Sequence, residues 1–105
     1  MYSIEQFWSI DHLSSIVITQ HSRKRFSERG ITIADICTAI QNGEIIEQYP
    51  DDKPFPSCLI FAMVGKRPLH VCASINEDLI YLITAYEPDP IKWESDWKTR
   101  KEKNG

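Results

Sequence analysis

The chain has 105 residues, enough for one domain with a modest core that needs no disulfide or metal support. Its 42% hydrophobic, 26% charged and 10% aromatic residues are typical of a soluble globular protein and exclude a disordered chain. The formal net charge of −3 argues against nucleic-acid binding through overall charge, so any such function must depend on a local basic patch.

The first 30 residues predict a helix, a short strand and a second helix. Apolar residues at helical spacing favour a first helix from Tyr2 to His12, with Ser3 as its N-cap. The β-branched residues 16–18 predict a short edge strand. The second helix lies between Thr19, which can cap its first turn, and Gly30, which can adopt the left-handed conformation that ends a helix.

The second predicted helix is rich in cations and poor in apolar residues. Its segment, TQHSRKRFSERG, has one large hydrophobic residue, Phe26, and four cations against one acid, namely Arg23, Lys24, Arg25, Arg29 and Glu28. His21, Arg25 and Arg29 recur at every fourth position, so they lie along one side of the helix. Because Phe26 must anchor the helix next to that side, we expect these groups at the rim of the core, where they form a candidate anion site.

The middle of the chain predicts a third helix followed by a sheet. Thr32 and Asp35 resemble a capping box, and the helix that they start ends at Asn42-Gly43, with Cys37 as a small core residue. From residue 44 the apolar period changes to that of strands, interrupted by a proline-rich loop. The predicted strands cover residues 44–49, 58–64, 69–74 and 79–86, and the loop covers residues 50–56. Short connections between the last three strands favour antiparallel pairing.

The last part of the chain predicts a closing helix. Asp89 is a suitable N-cap, Pro90 occupies the favoured first helical position, and Trp93 and Trp97 then share one side. The tail after Lys98 is expected to fray. The predicted fold class is therefore α+β, with N-terminal helices packed on an antiparallel sheet of about four strands and with a C-terminal helix. We expect a single domain over residues 1–105, with its core in residues 16–97.

One constellation of residues has the parts for RNA cleavage without a metal. His70 shares a strand face with Cys72, and Thr84 shares a face of the last strand with Tyr86. If the basic helix packs at the end of this sheet, His21 and Arg25 can converge with His70 and Tyr86. A base of near-neutral pKa, guanidinium groups and a proton donor are what cleavage through a 2′-hydroxyl requires.

Two other kinds of site remain open. A metal site built from His70, Cys72 and Cys58 is one, although no CxxC, HxxxH or HExxH spacing supports it. A protein-binding surface is the other, formed by the proline-rich loop at 50–56, the acidic strand edge and the C-terminal tryptophans. No glycine-rich phosphate loop, nucleophile elbow or paired-carboxylate motif is present, which excludes the common NTPase and hydrolase motifs.

Five short motifs resemble a family of small bacterial proteins that is catalogued as a domain of unknown function. They are TxHSRKRFSERGI (residues 19–31), NGEIIExYP (42–50), PxPSCL (54–59), RPLHV (67–71) and ITAYEPDPxxW (83–93). Together they cover most of residues 16–97. The resemblance implies a fold of the broad barnase-, colicin- and RelE-like superfamily.

The same resemblance implies a toxin of a toxin–antitoxin pair that cleaves mRNA. Its expected partner is a small antitoxin-like protein with a zinc-binding CxxC module and a helix-turn-helix. The motif positions that it identifies in this sequence are His21, Arg25, Arg29, His70, Thr84 and Tyr86.

We therefore expect a toxin-like, metal-independent endoribonuclease that acts on RNA, including ribosome-associated mRNA. His21 and His70 are the expected base and acid, Tyr86 a stacking or proton-donating residue, and Arg25, Arg29 and Thr84 the phosphate-binding residues. The alternative is a non-catalytic module of the same fold that holds a partner protein in the same groove. Three cysteines with no disulfide pattern predict a reducing, cytoplasmic location, and we expect neither a cofactor, a metal nor a membrane.

Overall fold

A computed structural model describes residues 1–10 and 15–101. This part of the chain is α+β, with three helices and one five-stranded mixed sheet. The helices are α1 (Ile4–Trp8), α2 (Gln20–Glu28) and α3 (Ile33–Asn42), and the strands are β1 (Ile16–Val17), β2 (Glu44–Tyr49), β3 (Ser57–Val64), β4 (Arg67–Asn76) and β5 (Leu79–Tyr86). No helix in this part of the chain is long and apolar enough to cross a membrane.

The first helix is shorter than predicted. It ends at Trp8 rather than His12, and the last two residues of the predicted range belong to residues 11–14, which lie outside the described residues. At its start the Ser3 N–H donates to Gln6 Oε1 at 2.7 Å. Phe7 is fully buried and contributes to the core.

The capping box predicted at the start of the third helix is present. The Thr32 N–H donates to Asp35 Oδ2 and the Asp35 N–H donates to Thr32 Oγ1, both at 3.0 Å. These two bonds satisfy amide groups that otherwise have no partner in the first turn. The helix ends before Gly43, where a Cβ atom would lie 2.3 Å from the Ala39 carbonyl oxygen and 2.6 Å from Ile60 Cγ2. Glycine is needed here because the chain turns against the sheet.

The sheet has five strands, whereas the predicted fold class had about four, and it is mixed rather than antiparallel. Its order is β1-β5-β4-β3-β2, and the pairs from β2 to β5 are antiparallel, as their short connections predicted. The edge strand expected at residues 16–18 forms at Ile16–Val17 and pairs in parallel with β5 at Ile80 and Tyr81. Two helices and three strands separate β1 from β5 in the chain, so no tight turn requires these neighbours to be antiparallel.

The two faces of the sheet are covered by different parts of the chain. The inner face packs against the helices in the main core, which includes Phe7, Phe26, Ile36, Ile40, Ile60, Leu69, Val71 and Ile80. The outer face forms a smaller cluster around Leu59, Cys72 and Trp93. Residues 87–101 supply Trp93 to this cluster, and we call this segment the C-terminal strap.

The predicted C-terminal helix is wrong. The strap makes one turn, in which Asp89 Oδ1 accepts from the Ile91 N–H at 2.8 Å, and then continues as turns with an isolated bridge between Trp93 and Arg100. The Asp96 side chain accepts from two following amides, at residues 98 and 99, which competes with helical hydrogen bonds. Trp97 has a φ of +61°, outside the helical region.

Residues 99–101, the first part of the tail that was expected to fray, are held by hydrogen bonds. The Thr99 hydroxyl donates to Asp96 Oδ2 at 2.9 Å, and Arg100 reaches Glu47 of β2. The Lys101 N–H donates to the Lys92 carbonyl at 3.0 Å. Residues 102–105 lie outside the described residues.

Candidate functional site

Helix α2 is fixed at both ends by its own sequence. Thr19 Oγ1 accepts a hydrogen bond from the Ser22 N–H at 3.1 Å, which caps the first turn. Gly30 follows the helix with a φ of +66°, and Phe26 is only 2% exposed. The helix is therefore held by one apolar anchor, as predicted, and the other side chains are left near the surface.

One side of α2 has a shallow depression that is open to solvent and lined mostly by cations. Its lining residues are His21, Lys24, Arg25, Glu28 and Arg29. At 1.5 Å per residue the row from His21 to Arg29 is roughly 12 Å long. Glu28 is the single acid of the lining, so the surface has an excess of positive charge that favours phosphate groups.

Arg29 connects this cationic row to the end of β5. Its Nη1 atom donates to the Ala85 carbonyl at 2.9 Å and to Thr84 Oγ1 at 3.3 Å. Near the start of the helix, the Ser22 hydroxyl donates to the Ile83 carbonyl at 3.4 Å. Helix α2 therefore lies along the last residues of β5, and Arg29 is held at the junction between helix and sheet.

The outer face of β4 and β5 brings three of the predicted site residues together. His70 pairs with Tyr86 and Cys72 pairs with Thr84 across the two antiparallel strands. The ring centroids of His70 and Tyr86 are 5.4 Å apart. Arg29 contacts Thr84, and Tyr86, two positions farther along the same face of β5, contacts His70. The predicted residues Arg29, Thr84, Tyr86 and His70 therefore lie in neighbouring positions at this end of the sheet.

His70 lies in a closed cage and not in an open pocket. It is 0% exposed, and the rings of Phe61, Tyr86 and Trp93 surround its imidazole. The Trp97 carbonyl lies 2.7 Å from Nε2, and because a carbonyl only accepts, Nε2 carries the hydrogen and donates it. Nδ1 is then an acceptor, and it is buried with no hydrogen-bond partner among the residues that the structure describes.

The two buried titratable groups of this set are both held in their neutral forms. Burial lowers the pKa of His70 below its ordinary value of 6.5, although the Trp97 carbonyl and Glu47 oppose this shift. Burial raises the pKa of the Tyr86 hydroxyl above its ordinary value of 10.0. At neutral pH Tyr86 therefore keeps its proton and can donate it, whereas His70 is an uncharged imidazole.

The structure does not place the two predicted imidazoles in one open pocket. His21 and Arg25 are exposed on α2, while His70 is enclosed beneath the C-terminal strap. The sequence placed His70 on the correct face of its strand. What the sequence did not show is that the strap covers this face, so His70 has no solvent-exposed surface from which to contact a substrate in this arrangement.

The residues considered for a metal site are divided between the two faces of the sheet. Cys58 belongs to the main core, whereas Cys72 belongs to the outer cluster with Trp93. Burial raises the pKa of Cys58 to about 12 and raises that of Cys72 as well, so both thiols stay protonated. Residues 1–10 and 15–101 contain no group of three or more His, Cys, Asp or Glu side chains that could hold a metal ion.

A comparison with protein-family models identifies the family of this chain. The model of a domain of unknown function, DUF4258, matches residues 18–87, more than half of the sequence. The chain belongs to the DUF4258 family. No curated protein and no solved structure matches it.

The DUF4258 match includes all six predicted site residues. It begins just before α2 and ends at Glu87, where the C-terminal strap begins. The cationic helix and the β4–β5 face therefore both lie inside the DUF4258 region, and the cover over His70 lies almost wholly outside it.

Three contacts of this DUF4258 chain, made by two arginines, were not predicted. Arg67 Nη1 donates to the Gly30 carbonyl at 3.0 Å, and its Nε lies 3.3 Å from Glu87 Oε2. This places a second arginine at the same end of the sheet as Arg29. Arg100 of the strap makes two hydrogen bonds to Glu47 on β2. All three contacts join segments that are distant in sequence, and no local pattern indicates them.

Proposed function

We propose that this chain is a toxin-like, metal-independent endoribonuclease that binds RNA along the cationic side of α2. The observation that carries the proposal is the position of Arg29, whose guanidinium joins the cationic helix to Thr84 and Ala85 at the end of β5. His21 and Arg25 line the same depression as Arg29. The toxin-like role and the relationship to barnase-, colicin- and RelE-like proteins rest on the sequence resemblance.

In the proposed reaction, the 2′-oxygen of RNA attacks the neighbouring phosphorus and the bond to the 5′-oxygen breaks. The His21 imidazole takes the proton of the 2′-hydroxyl, and the Tyr86 hydroxyl gives a proton to the leaving 5′-oxygen. Arg25 and Arg29 stabilise the negative charge that develops on the phosphate oxygens. The products are a 2′,3′-cyclic phosphate and a 5′-hydroxyl, and the two side chains recover their protonation states from solvent.

Thr84 and His70 have supporting roles in this proposal. Thr84 accepts from Arg29 and so fixes the direction of the guanidinium. His70 packs its ring against that of Tyr86 and is itself held by the Trp97 carbonyl. In the closed arrangement His70 therefore positions Tyr86 and does not exchange protons with a substrate.

A second candidate function is a non-catalytic module that binds a partner protein. The observation that favours it is the enclosure of His70, because only one of the two predicted imidazoles is then available at the surface. The same cationic side of α2 would accept an acidic segment of the partner. In either case the expected partner is an antitoxin-like protein with a zinc-binding CxxC module and a helix-turn-helix.

Cleavage of RNA by the purified protein in the presence of EDTA tests the first proposal. We expect His21→Ala and Arg25→Ala each to lower the cleavage rate by a factor of at least about 100, the usual scale for general-base or charge-stabilising groups. Mass spectrometry should find 2′,3′-cyclic phosphate and 5′-hydroxyl ends. Lys53→Ala is the matched control, because this exposed cation lies in the loop between β2 and β3, away from α2.

Expression in bacteria separates the two candidate functions. An endoribonuclease should arrest growth, and the His21→Ala and Arg25→Ala variants should relieve the arrest while keeping the wild-type unfolding transition. A folded wild-type protein that neither cleaves RNA nor arrests growth would contradict the enzyme proposal and favour the binding module.

A further inference from the structure

The C-terminal strap covers the outer face of the sheet without becoming part of it. Apart from the isolated bridge between Trp93 and Arg100, the strap forms neither a helix nor a strand. Trp93 is 3% exposed and packs in the outer cluster with Leu59 and Cys72. Its ring also lies against His70, with centroids 4.5 Å apart. Trp93 therefore covers the part of this face that contains Leu59, His70 and Cys72.

The far end of the strap is fastened to β2 by contacts at the protein surface. Arg100 Nε and Nη2 donate to the two carboxylate oxygens of Glu47 at 2.7 and 3.0 Å. The Arg100 guanidinium also lies 4.6 Å from the centre of the Trp93 ring. Lys98 Nζ lies 3.1 Å from Glu44 Oε1. The exposed Lys98–Glu44 pair stabilises the strap only weakly, and the bidentate Arg100–Glu47 pair is the stronger contact. Neither pair belongs to the hydrogen-bond ladder of the sheet, so both can be removed while the ladder stays intact.

The face beneath the strap contains an unsatisfied polar atom. Within residues 1–10 and 15–101, the buried His70 Nδ1 atom has no hydrogen-bond partner, and the His70 side chain is fully enclosed. A buried acceptor without a donor is destabilising, and exposure to water or to a ligand would satisfy it. The closed strap therefore covers the His70 imidazole, and the unsatisfied Nδ1 atom makes this closed arrangement less stable.

The position of the His70 imidazole relates the strap to the proposed RNA site. His70 lies directly across from Tyr86, and the next pair on the same face of the sheet, Cys72 with Thr84, contains the hydroxyl that accepts from Arg29. We propose that the C-terminal strap is a releasable cover, and that its release adds His70 as a second accessible imidazole to the site formed by Arg29 and Tyr86. The catalytic consequence rests on the proposed function, whereas the release of the cover does not.

Selective labelling of Cys72 tests the release. Cys72 lies under the strap and is 8% exposed, whereas Cys58 lies in the main core and is 0% exposed. We expect Glu47→Gln and Arg100→Ala each to increase the rate of Cys72 modification by an alkylating reagent at least tenfold, with the Cys58 rate unchanged. Peptide mass spectrometry reads the two cysteines separately. Lys53→Ala should change neither rate.

Using both variants excludes a change in net charge as the cause of faster labelling. Glu47→Gln makes the chain less acidic and Arg100→Ala makes it more acidic, so a shared effect cannot come from net charge. An equal rise in both labelling rates would show global unfolding and would overturn the strap proposal. An unchanged Cys72 rate in both variants would also overturn it.

RNA cleavage by the same proteins tests the consequence for the site. We expect Glu47→Gln to cleave faster than wild type by a factor of at least three, and the added substitution His70→Ala to abolish that gain while Cys72 remains labelled. If Cys72 is labelled faster in Glu47→Gln but RNA is cleaved no faster than by wild type, the link between the strap and the RNA site is overturned. If neither wild type nor any variant cleaves RNA, the proposed function fails, and the labelling alone decides whether the strap is releasable.

Discussion

At the residue scale, the chain carries two histidines of the predicted site in opposite environments. His21 is exposed on a cationic helix, and His70 is enclosed by three aromatic rings. From residue type and spacing, both histidines were predicted to act as base or acid. Their different surroundings depend on residues 87–101, which lie far from either histidine in sequence, so the difference between them could not be derived from local pattern.

The enclosure of His70 predicts a dependence of stability on pH. Burial holds its pKa below the ordinary value of 6.5, so the native protein binds fewer protons here than the unfolded chain. This contribution to stability is complete above pH 6.5 and is lost as the pH falls below it, by at most about 1.4 kcal/mol per pH unit. Glu47, Arg100 and Tyr86 are the charged or titratable groups nearest to the imidazole.

Urea unfolding between pH 8 and pH 5 measures this dependence. We expect His70→Phe, which keeps an aromatic ring in the cage and removes the titrating group, to show a smaller loss of unfolding free energy over this range than wild type. Identical slopes for His70→Phe and wild type would contradict the assignment.

At the scale of the elements, the sequence predicted α3 well and the C-terminal strap poorly. Helix α3 has local signals that agree, namely a capping box at Thr32 and an apolar stripe that includes Ile36 and Ile40. The strap also begins with helical signals at Asp89 and Pro90. There, the Asp96 turn and the burial of Trp93 against the sheet prevail over helix propensity. The turn is local, over residues 96–99, whereas the burial of Trp93 depends on residues distant in sequence.

The difference between local and long-range determinants also explains how much of the site could be predicted. The cationic side of α2 follows from its own spacing, and the shared face of Thr84 and Tyr86 follows from strand alternation. The bridge from Arg29 to β5 could only be guessed from sequence, since it depends on how a helix packs on a distant strand. Its donor and its acceptors are 55 and 56 residues apart.

The capping box of α3 gives a prediction at this scale. Thr32→Ala removes the side-chain oxygen that accepts from the Asp35 N–H, and we expect a loss of about 1 kcal/mol in unfolding free energy. Thr32→Ser keeps that oxygen and should retain most of the stability. Denaturant titrations of the three proteins measure the difference. Equal losses for the two variants would show that the cap does not stabilise the helix.

At the scale of the whole molecule, an acidic chain presents one cationic side. The net charge is −3, yet Lys24, Arg25 and Arg29 line one depression on α2 with a single acid among them. Acids on β2 are paired instead with the strap, through Glu47 with Arg100 and Glu44 with Lys98. The positive charge available for binding is therefore local and small, and we expect weak, salt-sensitive binding of polyanions.

The salt dependence of binding tests this distribution of charge. If three cations of α2 contact phosphates of a single strand, the slope of log K against log salt concentration should be about −2, since each contact contributes roughly −0.7. Arg25→Ala should reduce the slope by about 0.7, while Lys53→Ala should leave it unchanged. Fluorescence anisotropy with a 2′-O-methyl oligonucleotide measures it, because this strand has no free 2′-hydroxyl and stays intact. A slope that Arg25→Ala leaves unaltered would place the RNA on another surface of the protein.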